Sequence, residues 1–188
     1  RPTARCSTSA RSDGVTMDGG GTLVLGWGNP ARRDDGLGPA FAEGVAGLAL
    51  PAVAAESPYQ LEVEYAAEVA RYERVLFADA DRSGPAPFWV RRLEPASVAP
   101  SFSSHSVAPG AVLALARDLF GAAPEAWLLG IRGYEFEDFR EGLSPAARTN
   151  LDAALAYAAR TLGSGVLEEY PEGLRDDAAH NPAAACER

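Results

Sequence analysis

Five short runs of apolar, strand-forming residues recur along this chain with segments of helical period between most of them, and that alternation restricts the fold more than any single motif does. Leu23 to Gly28 and Val75 to Ala78 are nearly continuous in apolar character, as strands buried on both faces must be. Phe88 to Leu93 and Ala126 to Ile131 are two further strands, and Pro51 to Glu56 is a weaker, alanine-rich candidate. Between them, Asp34 or Asp35 is placed to cap a helix running to about Ala49, with Pro39 in its first turn. Leu61 to Tyr72 carries Leu61, Tyr65, Val69 and Tyr72 on one helical face. Pro109 to Phe120 precedes Gly121, a natural C-cap, and Ser144-Pro145 opens a last helix with Leu151, Leu155 and Leu162 on its buried side. The expected fold is α/β, a single domain with a twisted, mostly parallel five-stranded sheet sandwiched by helices on both faces, over residues 22–162. Residues 1–21 read as a disordered N-terminal extension and residues 163–188 as an acidic C-terminal tail.

Charge and cysteine usage exclude several functions. The net charge of −9 repels phosphate backbones, and the best basic cluster, Arg91-Arg92, is too small to overturn it, so no nucleic-acid partner is expected. No stretch approaches the roughly 18 apolar residues of a membrane span. The two cysteines, Cys6 and Cys186, lie in opposite tails with no metal-binding or framework spacing, which suits a reducing cytoplasm.

In parallel sheets, sites form beyond the carboxyl ends of strands. Three segments put polar groups there: Asn29 to Gly36 after the first strand, Asp79 and Asp81 at the end of the third, and Ser103-Ser104-His105 after the fourth. Two carboxylates and an imidazole suit divalent zinc, nickel or iron. Each also has a plain reading: Asp34-Asp35 as a helix cap, Asp79 as a turn former, His105 as a surface histidine. His180 falls in the acidic tail. Gly26-Trp27-Gly28 lacks the third glycine of a dinucleotide loop, since Ala31 stands there. There is no G-x-S-x-G elbow, H-E-x-x-H helix or Walker A motif, so a hydrolase built on this chain is none of those types.

Gly26-x-Gly28-Asn29-Pro30, then Asp34-Asp35-Gly36-x-Gly38, resembles the N-terminal signature of the [NiFe]-hydrogenase maturation endopeptidases. Phe77-Ala78-Asp79-Ala80, Ser104-His105-Ser106, Leu129 to Phe136 and Glu141-Gly142-Leu143-Ser144 are similar to later segments of that family, in the same order. The resemblance implies an endopeptidase that removes the C-terminal extension of a hydrogenase large-subunit precursor after nickel insertion. It implies Asp35, Asp79 and His105 as the residues that recognise the metal; Asp35 and Asp79 are the catalytic candidates, with two routes open, the ion polarising the scissile carbonyl or activating a water, or a carboxylate acting as general base while nickel only positions the chain. Nickel is then recognised in the precursor and is not a tightly held cofactor of the free enzyme. One departure is Glu56-Ser57-Pro58-Tyr59-Gln60-Leu61, where many members have Asp-Gly-Gly-Thr; another is the bulky Trp27. Rival readings are a non-catalytic nickel chaperone or scaffold, a small-molecule α/β hydrolase or phosphorylase, and a plain interaction module.

Overall fold

A computed structural model describes residues 20–96 and 107–171 of the chain. A five-stranded sheet in the order β2-β1-β3-β5-β4 carries helices on both faces. Its strands are β1 (Thr22–Gly26), β2 (Val53–Glu56), β3 (Arg74–Asp81), β4 (Phe88–Arg92) and β5 (Glu125–Arg132). A short 3-10 turn, Arg33–Gly36, leads into α1 (Leu37–Gly47). The other helices are α2 (Tyr65–Val69), α3 (Pro109–Phe120) and α4 (Pro145–Ser164).

The strand residues divide between the two faces with period two. Val24, Leu76, Ala78, Leu129 and Ile131 face α1 and α4, meeting Leu37, Phe41, Val45, Leu151 and Leu162. Leu23, Leu25, Val75, Phe77 and Leu128 face α2 and α3, meeting Ala66, Val69, Val112 and Ala116. The continuous apolar runs in the sequence are thus two interleaved core faces.

β1 pairs in parallel with β2 and β3, and β3 with β5, whereas β4 runs antiparallel to β5. The reason is the length of the connection. Only residues 82–87 join β3 to β4, and a parallel crossover needs about a dozen residues or more. β4 therefore turns back and β5 fills the gap between them.

Three expectations need correction. The helix expected over Leu61–Tyr72 shrinks to Tyr65–Val69, because the Leu61 carbonyl accepts from Val107 N at 3.0 Å and Tyr65 N turns to Glu62 O at 3.2 Å. The helix after the first strand begins at Leu37, and neither Asp34 nor Asp35 caps it. The folded unit also extends past residue 162. Tyr170 exchanges two backbone hydrogen bonds with Val90, and its ring stacks on Phe88 with centroids 4.5 Å apart. Leu167 is buried. Two apolar anchors in a polar segment hide from composition, yet they cover the outer edge of β4. Among the described residues, no helix is long and apolar enough to cross a membrane.

Helix α1 lies against the carboxyl ends of β1 and β3 at backbone distance. A Cβ on Gly38 would stand 2.1 Å from the Trp27 carbonyl oxygen and 2.8 Å from that of Ala78. Gly38→Ala forces three backbone segments apart and is expected to cost about 3 kcal/mol, the upper end of overpacking effects. Gly47→Ala, where nothing lies within 4 Å, is expected to be neutral or to stabilise by up to about 1 kcal/mol. Guanidinium unfolding midpoints of the two variants check the contrast.

Candidate active site

The sheet order places β2 and β3 on opposite sides of β1, so the chain reverses its winding there. A crevice opens at such a switch point beyond the carboxyl ends of the strands. The loop after β1 forms one side of it and the end of β3 the other, joined by a hydrogen bond from Trp27 N to the Ala78 carbonyl at 3.2 Å. Gly28 has φ +140°, and a Cβ there would stand 2.0 Å from the Asp35 carbonyl oxygen. No residue with a side chain fits, which is why the loop can fold so tightly under the 3-10 turn.

The adjacent carboxylates Asp34 and Asp35 have different environments. Asp34 is fully buried. It accepts from Tyr134 N at 2.8 Å, Glu135 N at 2.9 Å, Ser144 N at 2.7 Å and the Ser144 hydroxyl at 2.8 Å. Burial works against its charge, but the bonds from Ser144, Glu135 and Tyr134 prevail and hold its pKa below the usual carboxylate range. Asp34 is thus a structural clamp that ties the β1 loop to the β5 loop and to the start of α4. Ser144 completes the joint by accepting from Ala147 N at 3.2 Å as the N-cap.

Asp35 is half-buried, and its Oδ2 accepts from Asn29 N at 3.2 Å. Asn29 in turn donates through Nδ2 to the Tyr59 hydroxyl at 2.9 Å, so the loop after β2 reaches the same rim. A cavity of about 300 Å³ lined by Pro58, Tyr59, Gln60, Glu62 and Tyr65 adjoins it. Three of these, Pro58, Tyr59 and Gln60, belong to the segment at which the sequence departs from the family signature.

Asp79 stands in register with Gly130 of β5, one position beyond the Gly26–Ala78 pair. Burial raises its pKa well above the ordinary value, against a bond from Ala80 N at 2.7 Å, and the charges of Asp35 and Asp81 push it further. Asp35, in the loop after β1, and Asp79, near the end of the neighbouring β3, thus lie at the same carboxyl edge of the sheet. A cavity of about 10 Å³, room for one water, lies between Asp79, Asp81, Trp89 and Gly130. Asp81 serves the turn into β4, accepting from Ser83 N and Gly84 N at 2.9 Å and from the Trp89 indole N–H. His105 and His180 lie outside the described residues. The flanks of the His105 segment are described: Ala96 N bonds the Gly110 carbonyl and Val107 N bonds that of Leu61, both at 3.0 Å. Helix α3, which follows His105, packs on the sheet face that carries Phe77.

Reading the sequence alone missed the clamp role of Asp34 and the contribution of Tyr59. The signal for the first was present in Ser144, a cap residue whose hydroxyl proton needs an acceptor. No signal separated Asp34 from Asp35.

No model of a known protein family matches the chain, and no curated protein matches it. Solved structures do. The [NiFe] hydrogenase maturation protease HycI from Thermococcus kodakarensis KOD1 is 21% identical, with 74% of this chain and 90% of that chain covered and a TM-score of 0.59. The hydrogenase maturating endopeptidase HybD from E. coli is 21% identical, covering 79% and 96%, with a TM-score of 0.58. The hydrogenase 2 maturation peptidase from Thaumarchaeota archaeon SCGC_AB-539-E09 is 25% identical, covering 76% and 98%, with a TM-score of 0.54. The fold is thus the one these hydrogenase maturation peptidases share. Sequence motifs and fold, two separate likenesses, point to the same family.

The two shifted carboxylates carry opposite signs of stability. The folded pKa of Asp34 lies below its unfolded one, so its contribution is complete above the ordinary value of 3.8 and is lost as pH falls through the folded value. Asp79 has the reverse shift, so its charge destabilises at neutral pH, and that cost is relieved as pH falls toward 3.8. Asp34→Asn turns an N–H donor toward other donors and is expected to lose about 3 kcal/mol or more. Asp79→Asn is expected to melt above wild type at pH 7, with the difference closing at acid pH. Thermal melts of both variants between pH 3 and 8 test the two signs.

Proposed function

We propose that the chain is an endopeptidase that removes the C-terminal extension of a [NiFe]-hydrogenase large-subunit precursor after nickel insertion. What supports this reading is that Asp35, in the loop after β1, and Asp79, near the end of the adjacent β3, fall at one carboxyl edge of the sheet. Two carboxylates in differing environments are the minimum equipment for acid–base cleavage of a peptide bond. Asp35, held by a single N–H, takes the proton of a water that attacks the scissile carbonyl. Asp79, whose burial favours the protonated form, passes its proton to the departing amine nitrogen. The acid–base chemistry is then of the aspartic type.

The same pair suits a substrate that carries a divalent cation. Like charges brought together in a half-buried crevice favour a cation, and carboxylate with imidazole is an acceptable donor set for nickel. No group of three metal-ligating side chains occurs among the described residues, so the remaining donors belong to the substrate and to His105. The ion is cargo of the precursor: it would orient the tail for Asp35 and Asp79. Empty precursor would bind less well, which gives the cleavage its timing.

The test is cleavage of purified precursor, followed by intact mass, with nickel-loaded and nickel-free protein. Wild type is expected to shorten only the loaded form. Asp35→Asn and Asp79→Asn are expected to lose activity by at least about 100-fold, and His105→Ala to lose the preference for loaded precursor. Binding of loaded precursor without shortening by wild type would replace the peptidase with a chaperone or scaffold.

A further inference from the structure

Arg32 and Arg33 are consecutive, yet only one of them finds a carboxylate. Arg33 sits at φ +52°, a left-handed conformation that is uncommon for a residue with a side chain. Its N–H bonds the Arg140 carbonyl at 3.0 Å, and its guanidinium pairs with Glu135 at 2.5 Å. This fold of the backbone separates the two side chains.

Arg32 forms no ion pair among the described residues. Its Nη2 donates to the Phe136 carbonyl at 3.3 Å, and its guanidinium carbon lies 5.5 Å from the centre of the Phe139 ring. Its Nε is buried with no hydrogen-bond partner. Glu137 lies near enough to feel the Arg32 charge, but its carboxylate is bonded to Arg82 at 2.9 Å. A buried N–H of a charged group left unpaired is costly until a ligand or an ordered water completes it. The place of Arg32 is also specific: its carbonyl accepts from Asp35 N at 3.1 Å, so the residue is one turn from the proposed catalytic carboxylate. Phe139, 83% exposed, offers the guanidinium an apolar ring on the solvent side.

We infer that Arg32 is a specificity-determining residue that binds a carboxylate of the peptide substrate through its guanidinium fork. The fork can take a carboxylate in two parallel hydrogen bonds, which an ammonium cannot. The carboxylate is either an acidic side chain of the tail or the α-carboxylate at its end. The inference rests on the peptidase reading for its peptide ligand. Arg32 selects and orients; it does not touch the reacting atoms.

The experiment uses three fluorescent synthetic peptides of the precursor tail: unmodified, C-terminally amidated, and with Asp and Glu changed to Asn and Gln. Binding to the full chain is read by fluorescence anisotropy for wild type, Arg32→Gln and Arg32→Lys. Wild type is expected to bind one of the neutralised peptides about tenfold more weakly, a difference of about 1.4 kcal/mol. The peptide that loses affinity identifies which carboxylate is read. Arg32→Gln is expected to bind all three alike at the weaker level, and Arg32→Lys to recover only part of the difference. Equal binding of all three by wild type, retained discrimination in Arg32→Gln, or no peptide binding by wild type overturns the inference. Cleavage of whole precursor is measured in parallel, where Arg32→Gln is expected to raise KM and leave kcat unchanged. Failure of wild type to cleave would sink the peptidase reading, while the peptide comparison would still report on the arginine.

Discussion

The carboxylate of Asp34 ties together three pieces of chain, the loop after β1, the loop after β5 and the start of α4. It sits at zero exposure and accepts four hydrogen bonds, from Tyr134, Glu135 and twice from Ser144. A buried charge is tolerated only when its acceptor capacity is filled, and here the filling is done by backbone N–H groups of the β5–α4 connection. The same bonds fix the entry of α4 and the path of the loop after β1. Asp35, the next residue, inherits its position from that clamp, and so does the direction of Arg32. The crevice is therefore organised by a residue that takes no part in it.

Close backbone contact is the second constraint. Gly38 lets α1 touch the ends of β1 and β3, and Gly28 lets the first loop fold beneath the Asp35 carbonyl. Both contacts bring the β1 loop against the last residues of β3, which is where Asp79 projects. The result is an opposition between stability and chemistry. Asp34 is stabilised as an anion by its donors, whereas Asp79 is destabilised as an anion by burial and by Asp35. A site that holds one carboxylate against its charge has that strain available for binding a cation or moving a proton.

The end of α3 and the start of α4 were legible because their chemistry is local. Gly121 takes the left-handed conformation at the end of α3, with φ 69°, and Ser144-Pro145 opens α4 as read from sequence. The strands were legible because burial on both faces leaves an apolar run, although β3 and β5 extend past their apolar centres to Asp81 and Arg132. α2 was overestimated because Leu61 has helical spacing but gives its carbonyl to Val107, which lies 46 residues away in sequence (107 minus 61). Residues 165–171 read as tail because their composition is polar, while their attachment rests on Leu167 and the Tyr170 ring.

Residue order determined the succession of strands and helices, the end of α3, the start of α4, and the position of carboxylates beyond strand ends, since each of these depends on neighbours within a few residues. The site's membership depends on contacts across the sheet. Asp34 and Asp35 are indistinguishable as a sequence pair; one becomes a clamp and the other stays half-buried at the loop because Tyr134, Glu135 and Ser144 approach Asp34 from 100 to 110 residues away. Arg32 and Arg33 part in the same way, according to where Glu135 lies. Only the tertiary structure could decide these assignments, because hydrogen-bond donors and countercharges act over a few ångströms in space, whatever their separation along the chain.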